Sequence, residues 1–198
     1  MEHKKYDNKF NVCIVGKNNV GKSSYIKRLI DNTFINSYKK TSGIETHQMH
    51  KAIENKNFLF KIWDISGGTK PQNISNDLYR TVDGLIFAFA LNDEQSYEDI
   101  KEWIDAIIAR KISLETCIVL CLKSDLESDS KFDLNIIKKT CEDYEIEFFQ
   151  VSSKNNEIVG DSFESIIKKI YCRNSTSINS YSSTSTQDSD SHSGCFIF

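Results

Sequence analysis

The chain has 198 residues, of which 39% are hydrophobic and 27% charged, with a formal net charge of −3 at pH 7. This composition predicts one soluble domain with a sizeable core and gives no electrostatic case for nucleic-acid binding. No apolar run reaches the roughly 18 residues of a membrane-spanning helix, and the first residues lack the apolar core of a signal peptide. We therefore expect a cytosolic protein with reduced, mostly core-packed cysteines.

The first predicted elements are a strand, a loop and a helix. Residues 10–15 form an apolar run typical of a buried strand, and residues 22–31 carry apolar side chains at helical spacing. Between them, Gly16–Ser23 reads G-K-N-N-V-G-K-S, which fits the phosphate-binding P-loop pattern G-x-x-x-x-G-K-[ST]. In such a loop, backbone N–H groups surround the phosphates. Lys22 would place a cation on the terminal phosphates and Ser23 a hydroxyl on Mg²⁺.

The rest of the chain alternates apolar runs with helical patterns. Further strands are predicted at 46–53, 58–63, 84–91, 117–122 and 147–151, and further helices at 94–109, 132–144 and 160–171. The runs 84–91 and 117–122 are apolar on both faces, as in central parallel strands, whereas residues 54–57 indicate a hairpin turn. The pattern predicts an α/β doubly wound, mostly parallel six-stranded sheet with one antiparallel edge strand and helices on both faces.

Three polar motifs stand where predicted strands end. Asp64 and Gly67 form an Asp-x-x-Gly motif, in which the carboxylate would hold Mg²⁺ through a water and the Gly67 N–H would reach the γ-phosphate. Asp125 offers an acceptor pair suited to the N1–H and N2–H₂ donors of guanine, and the Lys123 stem would cover the base. Residues 152–154 would supply a backbone N–H to guanine O6. Ligands of such sheets bind at the carboxyl ends of the strands, so the motifs predict one guanine-nucleotide site.

The composition changes abruptly near the end of the chain. Nine of the twenty residues from Asn174 to Ser193 are serine and three are threonine. The segment therefore has too few apolar residues to offset the entropy lost on ordering. We therefore predict a disordered Ser/Thr-rich tail over 173–194. Residues 195–198 read C-F-I-F, which fits C-a-a-X and predicts a geranylgeranyl group on Cys195, the alternative being an accidental cysteine. A single lipid without a basic patch predicts reversible attachment, unless Cys172 carries a second acyl group rather than packing against the last helix.

Over residues 10–171 the chain resembles a small GTPase of the Ras superfamily, most closely the Rab branch. The resemblance rests on four segments: Tyr38–Glu45, which resembles switch I, and Phe60–Asp64, Tyr79–Gly84 and Asn92–Tyr97 followed by Trp103. It implies a P-loop NTPase fold with an N-terminal arm over 1–9 and a GTPase domain over 10–172. By this resemblance Thr41 coordinates Mg²⁺ and caps the γ-phosphate, and Trp63 either faces effectors or packs at its strand end.

The resemblance also implies a function: a membrane-tethered switch that binds GTP or GDP with Mg²⁺, hydrolyses GTP and recruits effectors in vesicle trafficking. The metal would be held by Ser23, Thr41 and Asp64, with Lys22 and Thr41 assisting catalysis. The implied nucleotide-binding residues are Gly16, Asn19, Val20, Gly21, Lys22, Ser23, Ser24, Thr41, Asp64, Gly67, Lys123, Asp125, Ser152, Ser153 and Lys154. Expected partners are effectors at residues 35–50 and 64–83, an exchange factor, a GTPase-activating protein and a prenyl-binding chaperone. The expected location is the cytoplasmic face of a membrane, in exchange with the cytosol.

Four positions depart from the family pattern. Gly68 stands where the family has its water-positioning glutamine. Asn18 and Asn19 occupy P-loop positions that are usually small, the second usually glycine. Leu122 replaces the asparagine that contacts guanine N7 and braces the P-loop. We therefore predict weakened nucleotide binding and slow or partner-dependent hydrolysis, the alternative being a pseudo-GTPase interaction protein held in one nucleotide state.

Overall fold

A computed structural model of the chain describes residues 6–37, 39–53, 55–126 and 133–182. The elements are β1 (Asn8–Val15), α1 (Lys22–Asp31), β2 (Ile44–Ile53), β3 (Lys56–Ile65), α2 (Asn76–Thr81), β4 (Gly84–Ala90), α3 (Glu94–Ala109), β5 (Cys117–Leu122), α4 (Leu134–Asp143), β6 (Glu147–Val151) and α5 (Val159–Ser182), with a 3₁₀ turn at Pro71–Asn73. Each predicted strand and helix is present. The apolar pattern of the sequence did not predict α2 or the 3₁₀ turn. The prenylation site predicted at Cys195 lies outside the described residues, as do most of the predicted N-terminal arm and the predicted tail beyond residue 182.

Within the described residues the strands form one six-stranded sheet in the order β2-β3-β1-β4-β5-β6. The β2 strand runs antiparallel to β3, with Ile44 opposite Ile65, and the other neighbouring pairs are parallel. Asn55 turns the β2–β3 hairpin in a left-handed backbone conformation with φ 63°. The predicted fold class is confirmed. Because β1 lies between β3 and β4, the strand order reverses there, and a crevice opens at its carboxyl end.

Two apolar layers cover the two faces of the sheet. One packs α1 and α5 against the sheet, with Tyr25 and Phe163 among its buried side chains, and the other packs α2, α3 and α4. All seven residues of β4 are buried, as expected of a central strand covered on both faces. Cys117 and Cys121 both lie in the second layer, so the prediction that they share one face is confirmed. Trp63 is half-buried against this same layer.

The last helix is longer than the predicted 160–171. It continues to Ser182, so residues 173–182, which the composition assigns to a disordered tail, are helical. Asn174 Nδ2 donates to the Ile170 carbonyl at 2.8 Å, and Ser175 Oγ donates to the Tyr171 carbonyl at 2.9 Å. A helix that packing has already nucleated extends at little cost per residue, which composition alone does not reveal.

None of the helices in the described part of the chain is long and apolar enough to cross a bilayer.

Candidate functional site

A cleft of about 700 Å³ opens at the carboxyl ends of the strands. Its lining contains most of the predicted nucleotide-binding residues: Asn19, Gly21, Lys22, Ser23, Ser24, Thr41, Gly67, Lys123, Asp125, Ser153 and Lys154. Gly16, Val20, Asp64 and Ser152 are buried behind this lining. The volume is of the size that small-molecule ligands occupy in proteins. The fold therefore brings residues from distant parts of the sequence to one cavity.

The loop between β1 and α1 has a backbone that few side chains tolerate. Gly16 has φ 140°, and a Cβ there would lie 1.9 Å from the Ala88 carbonyl oxygen. Gly21, at the N-cap of α1, has φ 109° and provides no side-chain cap for the first N–H groups of the helix. Asn19, where the family usually has glycine, adopts φ 61°, a left-handed conformation that asparagine tolerates better than most residues. The loop thus leaves the N–H groups of a helix terminus available to an anion.

Lys22 lies at the bottom of this loop. Its Nζ donates to the carbonyls of Gly16 at 2.8 Å and Lys17 at 3.0 Å, and only 6% of the residue is exposed. Burial lowers the pKa of the Lys22 ammonium to about 8, against the opposing effect of the nearby Asp64 carboxylate. Among the described residues the hydrogen-bond partners of this buried ammonium are two neutral carbonyl groups, so its charge suits it to an incoming anionic phosphate.

The three predicted metal ligands meet beside Lys22. Ser23 Oγ donates to Asp64 Oδ2 and lies 3.1 Å from Thr41 Oγ1, within hydrogen-bond distance. Asp64 is fully buried, and within the described residues its Oδ1 has no hydrogen-bond partner. Burial raises the pKa of the Asp64 carboxyl, although the Ser23 hydroxyl and the Lys22 charge oppose this shift. One carboxylate with two hydroxyls fits Mg²⁺, which takes one or two carboxylates together with water and phosphate oxygens.

The loop after β3 touches the phosphate loop through its backbone. A Cβ placed on Gly67 would lie 2.2 Å from the Asn18 backbone nitrogen, which leaves no room for a side chain. Ser66 N–H also donates to the Gly43 carbonyl at 2.9 Å, so this loop is joined to the segment that follows Thr41. A ligand that orders either segment would therefore affect the other.

Gly67→Ala is expected to weaken binding of a nucleoside triphosphate more than that of the diphosphate, by about tenfold. The added methyl collides with backbone rather than with a flexible side chain, so the loop must move away from the place where the sequence predicts the terminal phosphate. Affinities of a non-hydrolysable triphosphate and of the diphosphate, measured by fluorescence titration, test this. Gly160→Ala is the matched control, because among the described residues a Cβ there meets no atom within 4 Å. An unchanged ratio of the two affinities in Gly67→Ala would contradict the expectation.

The opposite end of the cleft holds a fixed carboxylate. Asp125 Oδ1 accepts a hydrogen bond from Ser152 Oγ at 2.7 Å, and the Asp125 side chain is only 10% exposed. Ser152 Oγ in turn accepts from the Asn155 N–H at 3.0 Å. Lys123, with φ 59°, lies beside them, and burial lowers the pKa of its ammonium. The Asp125 carboxylate is therefore an oriented hydrogen-bond acceptor beside the aliphatic stem of Lys123. A planar base that carries hydrogen-bond donors fits such a pair.

The departures from the family pattern have local consequences in the structure. Leu122 is buried, and its Cδ1 lies 3.7 Å from the position that a Cβ on Gly21 would occupy, so an apolar side chain packs under the phosphate loop. Gly68 is exposed, and within the part of the chain that the structure describes the nearest group to its Cβ position is Asn18 Nδ2 at 3.6 Å. The loop therefore has room for a side chain at position 68.

Two basic residues near the cleft make contacts that the sequence did not predict. Lys17 Nζ lies 3.0 Å from Asp93 Oδ1 and ties the phosphate loop to the start of α3. Arg28, in the last turn of α1, donates hydrogen bonds to backbone carbonyls of the loop after β6. Lys17 occupies a variable position of the P-loop pattern, and Arg28 lies outside the predicted motifs. Their partners are 76 and 125 residues away in sequence, so no sequence signal indicated either contact.

Comparison with known proteins agrees with this geometry. The family model for the Ras family matches residues 11–172. Ras-related protein Rab-13 of Bos taurus is 29% identical over 167 residues, covering 84% of this chain and 82% of the relative. Ras-related protein RabH of Dictyostelium discoideum is 28% identical over 193 residues, covering 96% of each. GTP-binding protein ypt1 of Schizosaccharomyces pombe is 26% identical over 165 residues, covering 83% of this chain and 81% of the relative.

Proposed function

The chain belongs to the Ras family, as a divergent Rab-like member of the small GTPases, and we propose that it is a membrane-tethered GTP-binding switch in vesicle trafficking with slow intrinsic GTP hydrolysis. The observation that carries the proposal is the arrangement of the cleft. Lys22, Ser23, Thr41 and Asp64 meet at its phosphate end, and Asp125 stands at its base end. The P-loop and the guanine-selective carboxylate thus serve the two ends of one nucleotide.

The phosphate end would bind the β- and γ-phosphates of GTP. Mg²⁺, when bound, would neutralise charge on their oxygens and orient them. Ser23 and Thr41 would hold the metal by their hydroxyls and Asp64 by its carboxylate, while Lys22 would supply a second positive charge. Gly67 would donate its N–H to the γ-phosphate, which is absent in GDP. The protein would therefore distinguish the two nucleotides at Thr41 and Gly67.

These two contacts would couple nucleotide state to surface shape. Thr41 belongs to the segment 35–50 and Gly67 to the segment 64–83, and the Ser66 to Gly43 hydrogen bond of 2.9 Å joins them. Both segments would order around GTP and loosen after hydrolysis. Effectors, an exchange factor and a GTPase-activating protein would bind these segments. A lipid on Cys195, accepted in the cytosol by a prenyl-binding chaperone, would place the switch on a membrane.

Leu122→Asn is expected to tighten guanine-nucleotide binding by about 5- to 150-fold. The amide would regain the hydrogen bonds to guanine N7 and to the P-loop that a leucine cannot make. The dissociation rate of a fluorescent GDP analogue measures the effect. Leu122→Ala is the control, because it removes the apolar packing without adding an amide, and it should not slow release. Equal dissociation rates for the asparagine variant and the wild type would contradict the expectation.

The nucleotide that the purified protein carries tests the proposed function directly. The protein is denatured, and the released nucleotide is identified by chromatography. Release of GTP or GDP would support the proposal. Mostly GTP would indicate slow hydrolysis, whereas mostly GDP would indicate that hydrolysis is completed despite the missing side chain at Gly68. An empty site that also fails to take up added GDP would overturn it.

A second candidate function is a pseudo-GTPase that binds partners in one fixed nucleotide state. It is favoured by the absence of a side chain at Gly68 and by the apolar Leu122 under the P-loop. Limited proteolysis separates the two functions. Different digestion of the GDP and GTP-analogue forms supports the switch, and identical digestion supports the fixed-state protein.

A further inference from the structure

Arg28 lies behind the loop that follows β6 and holds it by its carbonyl groups. Its Nε donates to the Ser153 carbonyl at 2.7 Å, and one terminal nitrogen donates to the Lys154 carbonyl at 3.1 Å. The other terminal nitrogen donates to the Asn32 carbonyl at 2.8 Å, so the guanidinium also binds the end of its own helix. Charged donors make stronger hydrogen bonds than neutral ones, and the rigid fork fixes both loop carbonyls together.

These bonds determine where the N–H groups of the loop point. In a planar trans peptide the C=O and N–H bonds point in opposite directions. Since the Ser153 carbonyl points to Arg28, the N–H of Lys154 in the same peptide points away from it. Ser153 and Lys154 line the cleft, whereas Arg28 does not, so that N–H is directed to the cleft side. Within the described residues the Lys154 N–H has no hydrogen-bond partner, and it is therefore available to a ligand.

Arg28 also joins this loop to the helix that carries the P-loop. It lies on α1, which begins at Lys22 directly after the P-loop. In the family pattern an asparagine at position 122 braces the P-loop by hydrogen bonds. Leu122 stands at this position, and its apolar side chain cannot make them. Asn156 Nδ2 supports the same connection from the loop side, lying 3.3 Å from Asn32 Oδ1. The loop after β6 and helix α1 are thus connected through Arg28 and Asn156 rather than through residue 122.

We infer that Arg28 is a positioning residue for guanine recognition, which acts by aiming the Lys154 N–H at the O6 of the bound base. The inference rests on the proposed function, because it assumes a guanine nucleotide in the cleft. Arg28 does not touch the nucleotide. It acts through the peptide between Ser153 and Lys154, so its loss should affect base selectivity rather than phosphate binding.

Affinities of the full chain for GDP, IDP and ADP, in the wild type and in Arg28→Gln, test the inference. ADP carries an amino group in place of O6, whereas IDP keeps O6 and lacks only the 2-amino group that Asp125 would bind. We expect Arg28→Gln to weaken GDP and IDP binding by about 10- to 100-fold with little change for ADP. The GDP/ADP ratio should fall, and the GDP/IDP ratio should stay constant.

Two further variants make the result specific. Arg28→Lys keeps the charge but not the fork, so it should lower the GDP/ADP ratio by a smaller factor, and it serves if Arg28→Gln does not fold. Arg173→Gln is the matched control, because Arg173 donates to Thr116 Oγ1 at 3.1 Å, near the amino end of β5 and away from the cleft. This control should leave both ratios unchanged.

The outcomes are distinguishable. Wild-type preference for GDP over ADP that falls in the Arg28 variants supports the inference. The same wild-type preference with an unchanged ratio in those variants, or equal losses for GDP and ADP, overturns the inference and leaves the proposed function standing. A wild type with no preference for GDP overturns both.

Discussion

Asp125→Asn is expected to replace a preference for guanine nucleotides by one for xanthine nucleotides. Guanine presents two donors, N1–H and N2–H₂, and a carboxylate accepts from both. An asparagine amide keeps one acceptor, but it directs its NH₂ donor at the N2–H₂ donor of guanine. Xanthine carries a carbonyl in place of that amino group, and this carbonyl accepts from the amide. Sites built around such a hydrogen-bond pair reject the wrong partner strongly, so we expect GDP affinity to fall by about 10²- to 10⁴-fold and XDP affinity to rise.

Competition of GDP and XDP against a fluorescent nucleotide measures this exchange. The Ser152 hydroxyl that donates to Asp125 Oδ1 at 2.7 Å can also donate to an amide oxygen, so the side chain should keep its orientation. Asp133→Asn is the matched control, because Asp133 accepts from the Asn135 N–H at 2.9 Å at the start of α4, a cap position where asparagine serves as well. A loss of GDP affinity without any gain in XDP affinity would show that Asp125 does not select the base through this hydrogen-bond pair.

Gly68→Gln is expected to raise intrinsic GTP hydrolysis by about 10- to 100-fold. Hydrolysis by a small GTPase depends on orienting the attacking water, and Gly68 has no side chain for this. The backbone permits the change, since among the described residues the nearest atom to a Cβ at this position is Asn18 Nδ2 at 3.6 Å. Affinity for GTP should change little, because the substitution adds a group for the reaction rather than for binding.

Single-turnover release of phosphate from preloaded GTP measures the rate. Gly68→Ala is the control for the added bulk and for the loss of glycine flexibility, and it should hydrolyse GTP as slowly as the wild type. If Gly68→Gln and Gly68→Ala have the same rate, then the missing glutamine does not limit hydrolysis, and the obstacle lies elsewhere, with Asn18 as the nearest neighbouring side chain.

The sequence was most informative where short segments impose their own geometry. The P-loop of Gly16–Ser23 was recognisable because its glycines, lysine and serine are contiguous and stand between a strand and a helix. The fully apolar run of β4 indicated a central strand because both of its faces must be covered. By contrast α2 was missed, since its 6 residues are too few to show a helical period. The length of α5 was also missed, since its packed first half supports a polar second half.

What the sequence by itself determined is therefore the set of chemical groups and the order of the elements that carry them. Only the tertiary structure decided which of those groups meet and what holds them. Ser23 and Asp64 share a hydrogen bond across 41 residues, and Arg28 reaches Ser153 across 125. The physical reason is that motif geometry is local to the chain. A single arginine on a helix carries no local pattern, and only the packing of α1 beside the loop after β6 brings it to the carbonyl groups of that loop.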